Sequence, residues 1–179
     1  MARVLIVGGG CRGRRFAARM VEQGHALRVT TRSERGRAAI EACGAECWIG
    51  TPDRLATLRG ALENVTIACW MLAAASGEPD AVAALHGSRL EFFLGQAIDT
   101  TVRGFVYDAC PAGPAGAGAD VLERGERIVG ALTQLNAIPV AVLHGAQRAA
   151  GAQRGAVQDA AWVDAAADAV DSLLGTGAR

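Results

Sequence analysis

The chain has 179 residues, 51% of them hydrophobic, with 18 basic and 18 acidic residues in balance. That length builds one domain with a full core and leaves no room for a large second one, so residues 1–179 read as a single domain. Zero net charge and 4% aromatic residues supply neither the basic field nor the stacking rings of a nucleic-acid surface, which excludes nucleic acid as a partner.

Short apolar runs alternate with helical patterns along the whole chain. VLIV (4–7) predicts a first strand, followed by a helix with Phe16, Ala17, Met20 and Val21 on one face and Gly24 as its C-terminal cap. ALRVTT (26–31) predicts a second strand, with Ser33 placed to cap a helix through Ala42. AECWIG (45–50) predicts a third, after which TPDRL supplies a threonine cap and a proline for the first helical position. VTIACWML (65–72) predicts a fourth strand, and residues 80–99 a long helix with Leu90, Phe93, Leu94, Ala97 and Ile98 in one stripe. RGFVYD (103–108) predicts a fifth strand, and CPAGPAGAGA (110–119) a loop dense in proline and glycine.

A helix over 120–135, with Ile128, Val129, Leu132 and Leu135 inward, leads to a sixth strand, PVAVLH (139–144). Residues 145–179 form a reduced C-terminal segment with one helix, Trp162, Ala166, Val170 and Leu173 on its apolar face and Asp164, Asp168 and Asp171 on the other. Continuous apolar strands alternating with helices imply parallel strands buried on both faces. The expected architecture is a doubly wound α/β sheet of about six strands, with its ligand crevice at the carboxyl ends of the strands.

Gly8, Gly10 and Gly13 fit G-x-G-x-x-G. The pattern directly follows a predicted strand and opens a helix, the placement in which backbone N–H groups at a helix N-terminus hold a pyrophosphate, with Cys11 and Arg12 completing the loop. Dinucleotide sites for NAD place a carboxylate about twenty residues beyond the loop, on the ribose hydroxyls. This chain has Thr30, Thr31, Arg32 and Ser33 there, with Arg35 and Arg37 following. Arginines and hydroxyls suit a 2′-phosphate, Arg32 by a bidentate fork and Arg12 from the loop, so NADP(H) is favoured over NAD(H).

Every basic residue is arginine. The lack of lysine removes Schiff-base chemistry, a P-loop lysine and any lysine-assisted proton relay. The five cysteines, Cys11, Cys43, Cys47, Cys69 and Cys110, include no C-x-x-C pair, so no metal site is expected and they read as small apolar residues of a reducing compartment. The first strand starts too early for a signal peptide, and no run approaches the roughly 18 apolar residues of a membrane span, so a cytoplasmic protein is expected.

The segments VLIVGGGCRGRRFA, TRS, GTPDRL, CWMLAAASG, VRGFVYDA and WVDAAADAVDSLL together resemble the atypical and extended short-chain dehydrogenase/reductase superfamily, close to its epimerase/dehydratase-like NAD(P)H-binding proteins. The resemblance implies a Rossmann fold, adenine near Thr51 to Asp53, and nicotinamide ribose along Leu72, Ala73 and Ala74. It also implies pairing of two copies through the helices beside the fourth and fifth strands, for which Leu90, Phe93, Leu94 and Ile98 are the available stripe. The same stripe equally suits covering the sheet of its own subunit. The glycine spacing departs from the commoner G-x-x-G-x-x-G of the family and matches a divergent subset.

A second departure concerns chemistry. Family oxidoreductases carry a tyrosine and a lysine four apart on the helix after the fifth strand, whereas that helix here reads DVLERGERIVGALTQL. The only tyrosine, Tyr107, lies inside the fifth strand, so the standard proton relay cannot run. Asp108, Cys110 and His144 fall near carboxyl ends of strands and are the remaining catalytic candidates, as Cys–His or Asp–His pairs, against ordinary structural roles. His86 is weaker, since its position reads as solvent-facing. Three readings stay open: an NADP(H)-dependent oxidoreductase of non-standard mechanism, a non-catalytic NADP(H) sensor or partner-docking protein, and a scaffold with a structural glycine turn.

Overall fold

The computed structural model of the chain describes residues 1–111, 116–145 and 156–176. The expectations for the middle of the 110–119 loop, for most of 145–159 and for the Leu132 side chain lie outside the described residues. Six strands form one parallel sheet: β1 (Arg3–Val7), β2 (Ala26–Thr31), β3 (Glu46–Ile49), β4 (Ile67–Trp70), β5 (Gly104–Asp108) and β6 (Val140–Leu143), in the order β3-β2-β1-β4-β5-β6. The order reverses between β1 and β4, which opens a crevice at the carboxyl ends of those two strands.

Side-chain alternation along the strands feeds two cores. Val4, Ile6, Val29, Cys69 and Val106 pack against α1 (Cys11–Glu22), α2 (Arg37–Glu41) and α6 (Ala156–Thr176), through Phe16, Met20, Ile40, Trp162 and Val170. Leu5, Val7, Trp70, Phe105 and Tyr107 face α3 (Pro79–Leu85), α4 (Ser88–Ile98) and α5 (Ala119–Asn136), through Val82, Leu90, Phe93 and Leu122. Burial on both faces is what the continuous apolar strands require. The stripe of α4 is part of this second core: Leu90, Phe93 and Leu94 are buried, with the Phe93 ring 5.0 Å from that of Trp70. It covers the sheet of its own subunit.

Local departures from the sequence pattern have local causes. Residues 51–62 form two short 3-10 turns, Leu55–Leu58 and Gly60–Leu62, in place of the expected capped helix. Side chains claim the backbone groups a helix would use: Trp48 donates to the Thr57 carbonyl at 2.7 Å, Thr57 to that of Arg54 at 2.6 Å, and Arg28 to that of Ala61 at 2.8 Å. Ser33 makes no side-chain cap; a 3-10 turn (Glu34–Gly36) precedes α2. The stretch 80–99 is two helices, broken at His86 and Gly87 because the His86 ring is drawn into the core. Leu135, expected inward, is 82% exposed near the end of α5, where it borders the groove between α4 and α5. Asp164 and Asp171 are exposed as expected, yet reach along the flank of α6 to Arg19 at 4.0 Å and His25 at 3.8 Å.

Candidate functional site

The turn from β1 into α1 is built from glycine contacts that a side chain would destroy. Gly8 has φ +125°, and a Cβ there would strike the Met71 carbonyl; a Cβ on Gly13 would strike the Gly8 carbonyl. Gly13 thus lets the first turn of α1 close onto the loop. Gly10, the N-cap, is different: a Cβ would meet nothing within 4 Å. Its backbone faces open space at the N-terminus of a 12-residue helix that carries neither a side-chain cap nor an acidic residue in its first turn, leaving the first N–H groups to an anion.

Thr30 pins this loop to β2. Gly8 N–H donates to its hydroxyl at 3.2 Å and Gly9 N–H to its carbonyl at 3.0 Å. A threonine at a strand end has no pattern of its own, so sequence reasoning passed over that role. From the loop a cavity of about 510 Å3 runs along the strand ends, lined by Gly8, Gly10, Thr31, Arg32, Thr51, Asp53, Leu72 and Ala74 among the expected residues. Its far wall adds Ala81, Val82 and Leu85 of α3 and Arg89 of α4, whose contribution depends on the break at Gly87 and had no sequence signal. Asp53 is held at this wall, Oδ1 by Arg89 at 2.6 Å and Oδ2 by the Thr51 hydroxyl at 3.1 Å.

No family model matches the chain, and no curated protein matches it by sequence. Solved structures do. UDP-glucose 4-epimerase from Thermotoga maritima superposes with a TM-score of 0.67 at 15% identity, over 79% of this chain and 54% of that one. UDP-glucuronic acid 4-epimerase from Bacillus cereus, in complex with NAD, gives 0.62 at 11% over 79% and 55%, and vestitone reductase from alfalfa 0.58 at 16% over 80% and 56%. The chain has a Rossmann fold. It spans about half the length of these structures, and at such identities the likeness is one of architecture alone.

Within this Rossmann frame several expected residues stand elsewhere. Arg12 turns away from the β2 end: its Nε meets Asp159 of α6 at 2.9 Å, and its guanidinium lies 5.6 Å from the Trp162 ring centroid. Its guanidinium is thus engaged on the α6 side of the loop and not at the end of β2. Cys11, Ser33 and Arg35 are exposed and outside the cavity wall. Ala73 is fully buried, its carbonyl accepting from Ala117 N–H at 3.0 Å, so it backs the site rather than lining it. Arg37 is occupied by Glu34 at 2.6 Å and Glu41 at 3.3 Å.

The catalytic candidates are separated by strand alternation. Asp108, at the end of β5, is 2% exposed and accepts from Trp162 Nε1 and from Cys110 N–H, both at 3.1 Å. Burial pushes its carboxyl up to about 6. Cys110 is buried beside it, and burial likewise raises its thiol. His144 is solvent-exposed and meets Glu126 of α5 at 3.5 Å. Glu126 belongs to the helix on the opposite face of the sheet from Trp162, so neither the Cys110–His144 nor the Asp108–His144 pair forms.

His86, expected at the surface, is fully buried. Its Nε2 lies 3.3 Å from the Leu72 carbonyl and its Nδ1 2.7 Å from the Tyr107 hydroxyl. A carbonyl only accepts, so Nε2 carries the proton and the tyrosine donates to Nδ1. Burial lowers the His86 pKa to about 4 and raises that of Tyr107, which keeps both neutral. The pair holds the loop after β4 against β5, and the single tyrosine is a structural group.

Proposed function

We propose that the protein binds NADP(H) and belongs functionally with atypical short-chain dehydrogenase/reductase-like oxidoreductases that lack the tyrosine and lysine pair. The observation that carries this reading is the charge at the end of β2. Glu34, the acidic residue nearest Arg32 in the chain, has both carboxylate oxygens taken by Arg37, at 2.6 and 2.8 Å. Among the described residues Arg32 and Arg35 have no such partner, and Arg32 lines the cavity that begins at the glycine loop. A strand end with an uncompensated guanidinium at Arg32, and no carboxylate within Thr30 to Ser33 to receive ribose hydroxyls, suits a phosphorylated ribose.

The residues fit the dinucleotide in one further respect. Open space in front of Gly10 is where a pyrophosphate approaches the α1 N-terminus, while Thr51, Asp53, Leu72 and Ala74 would flank adenosine and nicotinamide ribose. When bound, NADPH supplies a hydride; the chain's own part is to hold and orient it. A second reading, an NADP(H) sensor or partner-docking protein without turnover, is favoured by the engagement of Asp108, Tyr107 and His144 in contacts outside the cavity. Calorimetric titration with NADPH and NADH, on wild type and Arg32→Ala, tests the binding. Charge-assisted hydrogen bonds contribute about 1.5–3 kcal/mol, so NADPH affinity is expected to fall roughly tenfold or more in the variant. Absence of binding by either nucleotide leaves only a structural glycine turn. NADPH oxidation with carbonyl and quinone acceptors separates the oxidoreductase from the sensor.

A further inference from the structure

His86 stands between AVAAL (81–85) and the apolar stripe of α4. Its side chain is fully buried, which is costly for an imidazole unless both ring nitrogens are satisfied. Both are: Nδ1 accepts from the Tyr107 hydroxyl at 2.7 Å, and Nε2 donates to the Leu72 carbonyl at 3.3 Å. The tyrosine is backed by α5, since a Cβ on Gly125 would strike its hydroxyl. Trp70 Nε1 holds the Leu85 carbonyl, next to His86 in the chain, at 3.1 Å. The imidazole is thereby clamped between β5 and the turn after β4, with its N–H aimed at one carbonyl.

That carbonyl belongs to the cavity wall. Met71, Leu72 and Ala74 line the cavity, and His86 stands one layer behind them. The Leu72 carbonyl accepts a second bond, from Ala75 N–H at 2.8 Å, which closes the turn, and Met71 N–H donates to the Val7 carbonyl at 2.9 Å. A Cβ on Gly8 would strike the Met71 carbonyl and come to 3.3 Å from Leu72 Cδ2, so the turn lies directly against the glycine loop. Removing the imidazole N–H would release Leu72 within that wall. Arg32 and Thr51, which follow β2 and β3 on the other side of β1 in the sheet, make no contact with His86 through which they would follow.

We propose that His86 is a positioning residue of the nucleotide site: acting through the Leu72 carbonyl, it fixes the wall that receives the nicotinamide half of the dinucleotide and leaves the adenosine half unaffected. The inference rests on the NADP(H) reading above and adds to it a group that never touches the ligand. Glutamine keeps an amide donor at the length of Nε2, able to reach Leu72. Asparagine ends at the level of Nδ1 and leaves the carbonyl without that donor.

The test is calorimetric titration of wild type, His86→Asn and His86→Gln with NADPH and with 2′,5′-ADP, which lacks the nicotinamide half. The expected result is about tenfold weaker NADPH binding in His86→Asn, with 2′,5′-ADP affinity unchanged and most of the loss recovered in His86→Gln. Thermal melting reads the core damage common to both variants, which does not produce that split. Equal losses for the two ligands would mean that His86 only supports the core, and would overturn the proposal, as would unchanged NADPH affinity. Nitrogen NMR of the wild type needs no substitution: the His86 Nε2 resonance should shift on addition of NADP+ and stay in place with 2′,5′-ADP, and a response to both or to neither overturns the proposal. A wild type that binds neither ligand removes the NADP(H) reading itself, whereas a wild type that binds both, with no split between them in His86→Asn, removes only the role of His86.

Discussion

Replacing Asp108 by asparagine tests how the end of β5 is held together. The carboxyl is 2% exposed, and burial raises its pKa from 3.8 to about 6, against the opposing effects of the bonds from Trp162 and Cys110 and the nearby Arg12 charge. A carboxyl held above its ordinary range binds its proton more tightly in the folded protein than in the unfolded chain. This contribution to stability is complete below pH 3.8 and is lost as pH rises through about 6. At about 1.4 kcal/mol per pH unit, ionising Asp108 within the fold costs on the order of 3 kcal/mol.

Asparagine keeps an oxygen acceptor for Trp162 Nε1 and Cys110 N–H and cannot ionise. Its added N–H donors impose a penalty that does not vary with pH, so the informative quantity is the difference in unfolding free energy between variant and wild type. Urea denaturation at several pH values measures it, and subtraction cancels the carboxylates common to both proteins. The difference should move in favour of the variant by on the order of 3 kcal/mol between about pH 4 and about pH 7.5. A difference constant within about 0.5 kcal/mol, the scale of an ordinary surface substitution, would refute a buried, proton-binding Asp108.

The glycine loop predicts opposite outcomes for neighbouring substitutions. Gly10→Ala should leave the melting temperature within a few degrees of wild type, because its Cβ meets nothing, while removing nucleotide binding, because that Cβ occupies the approach to the α1 N-terminus. Gly13→Ala should lower stability by about 1–3 kcal/mol as well as binding, since its Cβ collides with the Gly8 carbonyl; thermal melting and titration distinguish the two. Phe93→Ala should cost about 3–5 kcal/mol in urea denaturation, because its fully buried ring packs against both Trp70 and Phe105.

Strand positions and the glycine loop were legible because each depends on local pattern. ALRVTT coincides with β2, and the G-x-G-x-x-G spacing marks three positions, of which Gly8 and Gly13 are forced by contact and Gly10 opens to solvent. Helix boundaries were less legible where side chains compete for backbone groups. Arg28, 6% exposed in β2, donates to carbonyls more than thirty residues further on, and nothing in TPDRL announces it. The direction of Arg12 could not be read for the same reason: its partner, Asp159, is 147 residues away.

The face to which each strand-end residue points decides what the end of β5 can do. Tyr107 projects toward α5, its hydroxyl 2.7 Å from His86 Nδ1, to which it donates, and 3.3 Å from the Leu122 carbonyl. Asp108, one residue later, projects toward α6 and receives Trp162. Moving either side chain into the cavity would break a buried hydrogen bond and leave its partner unsatisfied, at about 1–3 kcal/mol per orphaned group. The end of β5 is thus occupied by residues that fasten helices to the sheet. If the cavity holds NADP(H) as proposed, substitution at Arg32 is expected to act on nucleotide affinity, whereas substitutions at Asp108 and Tyr107 are expected to act first on folding stability.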